Sequence, residues 1–496
     1  MTVAIVWFRR DLRVHDNPLL AAAQRYDEVL PLFIIDEKIT EGRRASAARN
    51  RFIAGCLEDL DLALRRLRSR LLVLCGEPAH QLRAIASDLR VEAVLWSGDV
   101  SPYSRARDRR VHAALRELGV RAIEHPPNHV VDVGQIETGA AKPYQMHSPF
   151  HRRSLTMPRR PLLPAPRRLP PPPDLAGLSV LRQHPRLLLE ALVRHPPSPH
   201  PLATPAEPPA PIAQPGETAA RRALSRWLSS GLHRYAHGSQ TLAEGATSRL
   251  SPHLRFGCLS ALELEQRALQ HPHPSAQAWV RQLSWRDFFA HVLLHSPGNL
   301  SLEHQAQLRG MEWEEHPERL VAWQQGITGF PIVDAAMRQL ARTGWMPNRA
   351  RLIVGSFLTK DLQIDWRQGE EWFSRLLLDG DPAQNNGNWQ WIASVGTDPA
   401  PVARRLYNPT LQSQRHDPDG LYIRRWVPEL SAVPLSALHQ PSQMSECQQR
   451  RSGCWIGRDY PAPIVDHPTQ RALALERYRR SLPPPPLEAA SPPRPR

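Results

Sequence analysis

The chain has 496 residues, a formal net charge of +15 and a pI of about 10.4. Two or three domains are expected at this length, and no apolar run approaches the roughly 18 residues of a membrane helix, which excludes a membrane-spanning class. The excess of basic over acidic residues favours a polyanionic binding partner. Its five cysteines form no C-x-x-C pair and are expected to be reduced thiols. We therefore expect a soluble, cytoplasmic protein, and take it to be a monomer.

Short apolar segments alternate with amphipathic segments in residues 1–130, as is typical of a parallel sheet covered by helices. The predicted strands are Ala4–Phe8, Val29–Ile35, Leu71–Cys75 and Ala93–Trp96, and the clearest helices are Arg49–Arg68 and Pro78–Leu89. The sequence therefore predicts an α/β N-terminal domain with a Rossmann-like parallel sheet. Because no G-x-G-x-x-G motif follows the first strand, this prediction concerns the fold and not a bound dinucleotide.

A proline-rich interdomain linker is predicted over residues 131–215, because proline at the density of Pro170–Pro173 sustains neither a helix nor an inner strand. Residues 216–475 are predicted to form an all-α C-terminal domain, and residues 476–496 a proline-rich tail. The helical pattern is clearest at Glu217–Leu228, Ala276–Leu294, Pro331–Thr343 and Asn348–Leu362.

Tryptophan is concentrated in the predicted helical domain. Only Trp7 and Trp96 of the 14 tryptophans in the chain precede it. Any one of the others is explained by a large helical core. Their number together favours a domain that stacks on flat rings or moves electrons between them.

Several blocks of the predicted helical domain resemble the flavin domain of class I DNA photolyases. The blocks are 328–340, 343–349, 356–362 and 379–391, the last of which reads Asp-Gly-Asp-Pro-Ala-Gln-Asn-Asn-Gly-Asn-Trp-Gln-Trp. Trp7–Arg13, 243–251 and 460–467 resemble the same family. The resemblance to the DNA photolyase/cryptochrome family covers nearly the whole chain except the linker and the tail, and it implies that the all-α domain binds FAD.

The resemblance implies that FAD is held in a U-shaped conformation. Thr247–Ser251 offers hydroxyl and backbone N–H groups for the pyrophosphate. Asn385 lies where the family has the residue that faces the reactive ring nitrogen of the flavin, and Arg351 with Asp379 resembles the family's ion pair beside the ring system. The implied cofactor-binding residues are Tyr235, Thr247, Ser248, Arg249, Leu250, Ser251, Trp279, Asn348, Arg351, Asp379, Gly380, Asp381 and Asn385.

The implied activity is the light-driven repair of cyclobutane pyrimidine dimers in damaged DNA. A flipped-out dimer receives an electron from excited reduced FAD, and no metal is expected. The implied catalytic residues are Asn385, Gln282 and an electron relay of Trp313, Trp366 and Trp389. The implied DNA-binding residues are Gln282, Trp285, Arg286, Arg349, Trp391, Arg404, Arg405 and Gln412.

Four positions depart from the pattern of the dimer photolyases. Gln282 stands in place of a usual Glu, Leu352 in place of Met, Ser239 in place of Arg, and Pro347 in place of His. A cryptochrome-like blue-light photoreceptor therefore stays open as an alternative. A (6-4) photolyase is disfavoured because it needs a His pair where this chain has Pro347 and Asn348. A simple basic DNA-binding module would explain the charge, but not the flavin motifs.

The resemblance also implies an antenna pigment in the N-terminal domain, either 8-hydroxy-deazaflavin or methenyltetrahydrofolate. Tyr103 and Ser104 stand where folate-binding relatives carry Asn and Glu, and Asp99–Tyr103 is closer to the deazaflavin-binding members. Asp36 and Arg51 are further candidates for the pigment pocket. Either pigment, or none, stays open at this point.

Overall fold

The computed structural model describes residues 1–180, 212–243 and 245–481. Its N-terminal strands are β1 (Val3–Phe8), β2 (Glu28–Ile35), β3 (Leu72–Cys75), β4 (Ala93–Ser97) and β5 (Arg121–His125). The helices between them are α1 (Pro18–Ala23), α2 (Glu37–Thr40), α3 (Ala47–Arg66), α4 (Pro78–Leu89) and α5 (Pro102–Glu117). All strand pairs are parallel, in the order β3-β2-β1-β4-β5. The predicted α/β class is confirmed.

Both faces of the sheet are buried, which explains the uninterrupted apolar runs of its central strands. Along β1, Ile5 and Trp7 belong to a core on one face of the sheet. The alternate residues Val6 and Phe8 belong to a second core, which continues to Trp279 of the helical region. This second core joins the two domains and holds one face of the sheet against the helical region.

The segment after the sheet wraps between the domains and contains the helix α6 (His147–Thr156). Phe150 of this helix is fully buried, with its ring centroid 5.5 Å from that of Phe288, and Leu169 is buried in the core that joins the domains. A few large apolar side chains are therefore enough to pack this proline-rich segment. The rest of the predicted linker, residues 181–211, lies outside the described residues.

The C-terminal region is helical, as predicted. Its first helices are α7 (Glu217–Arg226), α8 (Tyr235–Gly238), α9 (Ser251–Phe256), α10 (Ala261–Leu269) and α11 (Pro274–His295). The central ones are α12 (Pro317–Gln325), α13 (Pro331–Thr343), α14 (Asn348–Ser356), α15 (Trp366–Leu376) and α16 (Pro382–Ile392). The last are α17 (Pro409–His416), α18 (Leu421–Trp426), α19 (Leu435–Leu438), α20 (Glu446–Ser452) and α21 (His467–Ser481).

Several helix boundaries differ from the prediction, most clearly after Ser356 and after residue 475. The helix predicted over Asn348–Leu362 ends at Ser356, where one wider π-helical turn, Phe357–Asp361, continues it. Helix α21 continues through Ser481 and so passes the boundary predicted at residue 475. Across the three described ranges, no helix combines the length and the apolar character needed to cross a membrane.

Candidate functional site

A cavity in the helical domain lies between α14, α15, α16 and the turn Asp379–Asp381. It brings together six of the residues predicted for the flavin site and its relay, and five others. The lining residues are Asn348, Arg351, Leu352, Phe373, Asp379, Asp381, Gln384, Asn385, Asn388, Trp389 and Ile392. We refer to this space as the Asn385 cavity.

The Arg351–Asp379 ion pair forms one wall of the Asn385 cavity. Arg351 donates through Nη2 to both carboxylate oxygens of Asp379, at 2.8 and 3.1 Å, and through Nε to the Met346 carbonyl at 3.1 Å. Because the two oxygens share one nitrogen and a backbone carbonyl holds another, the guanidinium has a fixed orientation. The pair predicted from the sequence is therefore present in the structure.

Asn385 presents its amide oxygen to the cavity. Its Nδ2 donates to the Glu370 carbonyl at 2.8 Å, to Ser374 Oγ at 2.9 Å and to Glu370 Oε1 at 3.1 Å. With the amide nitrogen engaged by α15, the oxygen is the polar atom that this side chain offers to a ligand. Such an oxygen accepts a hydrogen bond from a protonated ring nitrogen and adds no charge.

Asp381 lies on the boundary between the two domains. Its side chain caps α16 by accepting from the Gln384 N–H at 3.0 Å, and it forms an ion pair with Arg10, which also pairs with Asp99 at 3.0 Å. Burial alone would raise the pKa of Asp381, but the Arg10 and Arg255 guanidiniums lower it to about 2. Asp381 therefore stays ionised at neutral pH. Arg10 belongs to the other domain, and no sequence motif indicates its contact with Asp381.

The segment Thr247–Ser251 precedes and enters α9. Thr247 Oγ1 is buried and has no hydrogen-bond partner, and Ser248 Oγ accepts from the Leu250 N–H at 3.4 Å. Thr247, Ser248 and Arg249 line a basic groove together with Arg226 and Arg234. A buried hydroxyl without a partner beside several guanidiniums fits a ligand that carries anionic oxygens, as a pyrophosphate does.

The other predicted cofactor residues surround this part of the domain. Trp279 is buried with its ring centroid 6.0 Å from that of Trp227, and Tyr235 lies edge-on to Trp227 at 5.9 Å. Ser251 accepts a hydrogen bond from Trp345 Nε1 at 3.4 Å. Leu250 is buried in the core that joins the domains. Together with the Asn385 cavity, these residues offer the aromatic, hydroxyl and amide groups that FAD requires.

The three relay tryptophans share the core of the helical domain. Trp389 and Trp366 are buried, whereas Trp313 is half-buried at the edge of the same core. Trp366 donates through Nε1 to Glu303 at 3.3 Å, and the guanidinium of Arg367 lies 4.8 Å from its ring centroid. All three rings therefore lie in or at the edge of one core, and their role as an electron relay stays a prediction.

Trp323 is a further tryptophan beside the relay that the sequence did not single out. It is fully buried, its ring centroid lies 6.2 Å from that of Trp389, and its Nε1 donates to the Val354 carbonyl at 3.1 Å. Phe373 lies against both rings, at 6.2 Å from Trp323 and 5.0 Å from Trp389. Only the tertiary packing reveals this neighbour.

Several predicted DNA-binding residues are accessible. Trp391 is half-buried, with the guanidinium of Arg405 3.7 Å from its ring centroid, and Arg405 also pairs with Asp398 at 2.5 Å. Of the two arginines, Arg405 therefore contacts Trp391, and Arg404 is exposed. Arg349 is half-buried and donates to Gln240 at 2.6 Å. Gln412 has a buried amide oxygen without a partner.

Two predicted DNA-binding residues on α11 lie under other parts of the chain. One ring face of Trp285 is covered by His147, with a centroid distance of 3.7 Å and an interplanar angle of 7°. Arg286 donates to the Asn128 carbonyl at 2.6 Å and lines a small cavity with Arg10 and Asp381. Arg286 is therefore a contact between the domains, and its phosphate contact stays a prediction.

The covered positions of Trp285 and Arg286 have a physical reason. Gln282, Trp285 and Arg286 share one side of α11 through their three- and four-residue spacing. The chain after the sheet covers the C-terminal part of that side, and Gln282 alone stays exposed, with its Nε2 3.5 Å from the Ala278 carbonyl. The sequence pattern does not indicate which part of a helix face a distant segment covers.

A larger cavity of about 300 Å³ lies at the carboxyl ends of β1, β2 and β4, against the helical domain. Ligands of parallel sheets bind at this edge, where the strand order reverses. Tyr103 donates to Asp36 at 2.6 Å, and Ser104 also lines the cavity. Arg51 is wrong as a candidate: it is exposed on α3, two residues after Arg49, which lines the cavity instead.

The larger cavity is rich in positive charge. Its seven cationic residues are Arg9, Arg10, Lys38, Arg44, Arg49, Arg107 and Arg255, against the three carboxylates of Asp36, Asp99 and Asp381. Burial lowers the pKa of Arg49 to about 10 and that of Arg255 to about 9. Since positive charge is buried here in excess, an anionic ligand would stabilise this region.

Comparison with known proteins agrees with this geometry. Residues 279–480 match the family profile described as FAD binding domain of DNA photolyase, and residues 4–172 match the profile described as DNA photolyase. The deoxyribodipyrimidine photo-lyase of Streptomyces griseus is 39% identical over 487 residues, which cover 97% of this chain and 99% of the relative.

Solved structures of the same kind superimpose on nearly the whole chain. A bacterial class III photolyase from Agrobacterium tumefaciens is 32% identical with a TM-score of 0.88, and the match covers 97% of this chain and 98% of that one. A cryptochrome from Synechocystis sp. PCC6803 is 28% identical with a TM-score of 0.85, covering 96% and 99%. The chain therefore belongs to the DNA photolyase/cryptochrome family, whose cofactor is FAD.

Proposed function

We propose that this protein is a photolyase that repairs cyclobutane pyrimidine dimers in DNA with light. The observation that carries the proposal is the Asn385 cavity, which joins an oriented amide, the Arg351–Asp379 pair and the buried ring of Trp389. Reduced FAD, when bound, supplies the light-excited electron donor. In the proposal, the amide oxygen of Asn385 accepts from the protonated ring nitrogen, and the ion pair fixes the edge of the ring system.

The proposed DNA surface consists of Trp391, Arg349, Arg404 and Arg405. An indole ring replaces the stacking that a flipped-out base loses. Burial and the nearby charge of Arg415 lower the pKa of Arg349, so a phosphate beside it would offset the repulsion between these cations. This surface therefore supplies stacking for the lesion and charge for the DNA backbone.

A cryptochrome-like photoreceptor is the second candidate, and the residue that favours it is Gln282. Gln282 carries an exposed amide where the resemblance leads one to expect a carboxylic acid. An amide keeps a donor and an acceptor for the lesion but cannot release a proton. A photoreceptor would use the same flavin site and relay without repair.

Illumination of the reduced holoprotein separates the two candidates. The full chain with bound FAD is mixed with one oligonucleotide that holds a cyclobutane thymine dimer and another that holds a (6-4) photoproduct. We expect loss of the cyclobutane dimer, restored thymines and an unchanged (6-4) photoproduct. Photoreduction of the flavin with no change in either lesion would contradict repair and favour the photoreceptor.

We also propose that the larger cavity holds an anionic antenna pigment of the 8-hydroxy-deazaflavin type. Its excess of cationic residues and its position at the sheet edge support an anion with a flat ring system. Fluorescence titration with 8-hydroxy-deazaflavin and with methenyltetrahydrofolate tests this. Tighter binding of the folate would contradict the proposed identity.

A further inference from the structure

A chain of polar contacts connects the N-terminal domain to Asn385. Arg44 lies between α2 and α3 and donates through Nη2 to Glu370 Oε2 at 2.6 Å. The other carboxylate oxygen, Glu370 Oε1, accepts from Asn385 Nδ2 at 3.1 Å and from Ser374 Oγ at 3.3 Å. A side chain of one domain thus contacts the carboxylate that holds the amide in the flavin site of the other domain.

The carboxylate of Glu370 is the central member of this chain. Its side chain is 2% exposed, against 42% for that of Arg44. Burial raises the pKa of Glu370, and the neighbouring Glu371 acts in the same direction. Arg44 is the strongest opposing influence, followed by the hydrogen bonds from Asn385 and Ser374. Without Arg44, this buried carboxyl group has no cationic neighbour among its principal partners.

The protonation of Glu370 affects one of the three contacts that hold the Asn385 amide nitrogen. A carboxylate accepts hydrogen bonds and therefore fixes the amide nitrogen. A protonated carboxyl group carries a hydrogen of its own, and the contact between Glu370 Oε1 and the amide nitrogen is weakened or lost. The Glu370 carbonyl and Ser374 Oγ still accept from that nitrogen, so the amide oxygen stays toward the cavity but is held less firmly. A less firmly held oxygen is a poorer partner for a protonated ring nitrogen, which moves the equilibrium toward the oxidised ring.

We propose that Arg44 is a positioning residue of the flavin site: it fixes the Glu370 carboxylate, which in turn holds the Asn385 amide oxygen toward the flavin. The inference rests on the proposed use of the Asn385 cavity. It assigns to the N-terminal domain an effect on the redox equilibrium of FAD, in addition to any effect of an antenna pigment. Arg44 also lines the larger cavity.

The adjacent residue Arg43 offers a matched control. Arg43 pairs with Glu371, and its Nε donates to Glu371 Oε1 at 2.9 Å. Its side chain is 79% exposed, and Glu371 pairs further with Arg375. Substituting Arg43 removes the same charge and the same type of contact between the domains, while the contact between Glu370 and Asn385 stays in place.

The test is the midpoint potential of FAD in the full-length holoprotein, followed by spectroelectrochemistry. Arg44→Met and Glu370→Gln should each shift the equilibrium toward oxidised FAD by about tenfold, the loss of one hydrogen bond to a charged group. Arg44→Lys should restore much of the wild-type potential, and Arg43→Met should leave it unchanged. FAD content and thermal unfolding are recorded for every variant.

Equal potentials for the wild type, Arg44→Met and Glu370→Gln would overturn the inference, as would equal shifts for Arg44→Met and Arg43→Met. If Arg44→Met does not fold, Glu370→Gln against Arg43→Met decides the matter. If the wild type repairs dimers but the Arg44 variants keep the wild-type midpoint potential of FAD, the inference about Arg44 is refuted and the proposed function stands. Wild-type protein that binds no FAD refutes the proposed function, and the inference with it.

Discussion

Trp391 combines an accessible ring with a guanidinium over one face. Because stacking on an aromatic side chain contributes about 1–3 kcal/mol per base, Trp391→Ala should weaken the binding of dimer-containing DNA by about that amount. Fluorescence anisotropy with damaged and undamaged duplexes measures the difference. Trp455, half-buried with Arg458 5.7 Å from its ring centroid, provides the control. Equal effects of the two substitutions would contradict the placement of the lesion.

Substituting Gln282 allows a test in which the repair activity should increase. Gln282→Glu introduces a carboxyl group that hydrogen-bonds the lesion and can share a proton with it, so the yield of dimer repair per absorbed photon should rise. Gln277→Glu introduces the same charge on an exposed position of the same helix and should leave the yield unchanged. An unchanged yield for Gln282→Glu would remove Gln282 from the site of repair, and a lower yield would contradict the expected gain.

The resemblance placed the residues of contiguous motifs well. Asn385, Asp379 and Asp381 come from one turn and the helix that follows it, so their spacing determines their proximity. Residues whose roles depend on a distant segment were less predictable. The contact between Arg286 and the Asn128 carbonyl was not predicted, and neither Glu370 nor Arg44 carries a local signal of its contact with the flavin site.

Among the helices, α15 carries Trp366, a member of the predicted electron relay. Trp366 is fully buried and donates to Glu303. Phenylalanine is harder to oxidise than tryptophan, so Trp366→Phe should slow the photoreduction of oxidised FAD while leaving dimer repair by chemically reduced protein unchanged. Flash photolysis measures the first rate and an oligonucleotide assay the second. Loss of repair in the chemically reduced variant would contradict a role confined to photoreduction.

Helix α14 carries Arg349 at its second position, on the proposed DNA surface. Arg349→Gln should weaken DNA binding and reduce the slope of log affinity against log salt by about one counterion. Arg342→Gln, at an exposed position of α13, serves as the control. An unchanged slope for Arg349→Gln would argue against a phosphate contact.

Strands with a clear sequence pattern were predicted, and the strand with a weak pattern was not. The four predicted strands are buried, and their apolar runs indicated them. The fifth strand was not predicted, because β5 is a half-exposed edge strand in which only Ala122 and Ile123 are apolar. Residues 131–180 contain a packed helix whose partners, among them Phe288, belong to the other domain. Such pairings are not visible in a local window of sequence.

At the scale of the whole molecule, the ion pair of Arg10 and Asp381 connects the two domains. The pKa of Asp381 falls from 3.8 to about 2 on folding, so its charged form stabilises the folded protein by about 2 kcal/mol. Since the pKa is lowered, this contribution is present above pH 3.8 and is lost as the pH falls toward about 2.

Asp381→Asn should therefore lower the free energy of unfolding at pH 7 by about 2 kcal/mol. The difference from the wild type should shrink as the pH falls below 3.8. Guanidinium unfolding at several pH values measures this difference in the free energy of unfolding. Asp174→Asn, at an exposed position, serves as the control. A difference that grows on acidification would contradict the assigned sign.

In the proposed function, FAD bound in the Asn385 cavity repairs DNA when it absorbs light. The number of dimers removed per bound FAD, in blue light and in darkness, is measured with an oligonucleotide that holds one dimer. We expect repeated turnover in the light and none in darkness. Intact dimers after illumination of protein that carries a full complement of reduced FAD would contradict it.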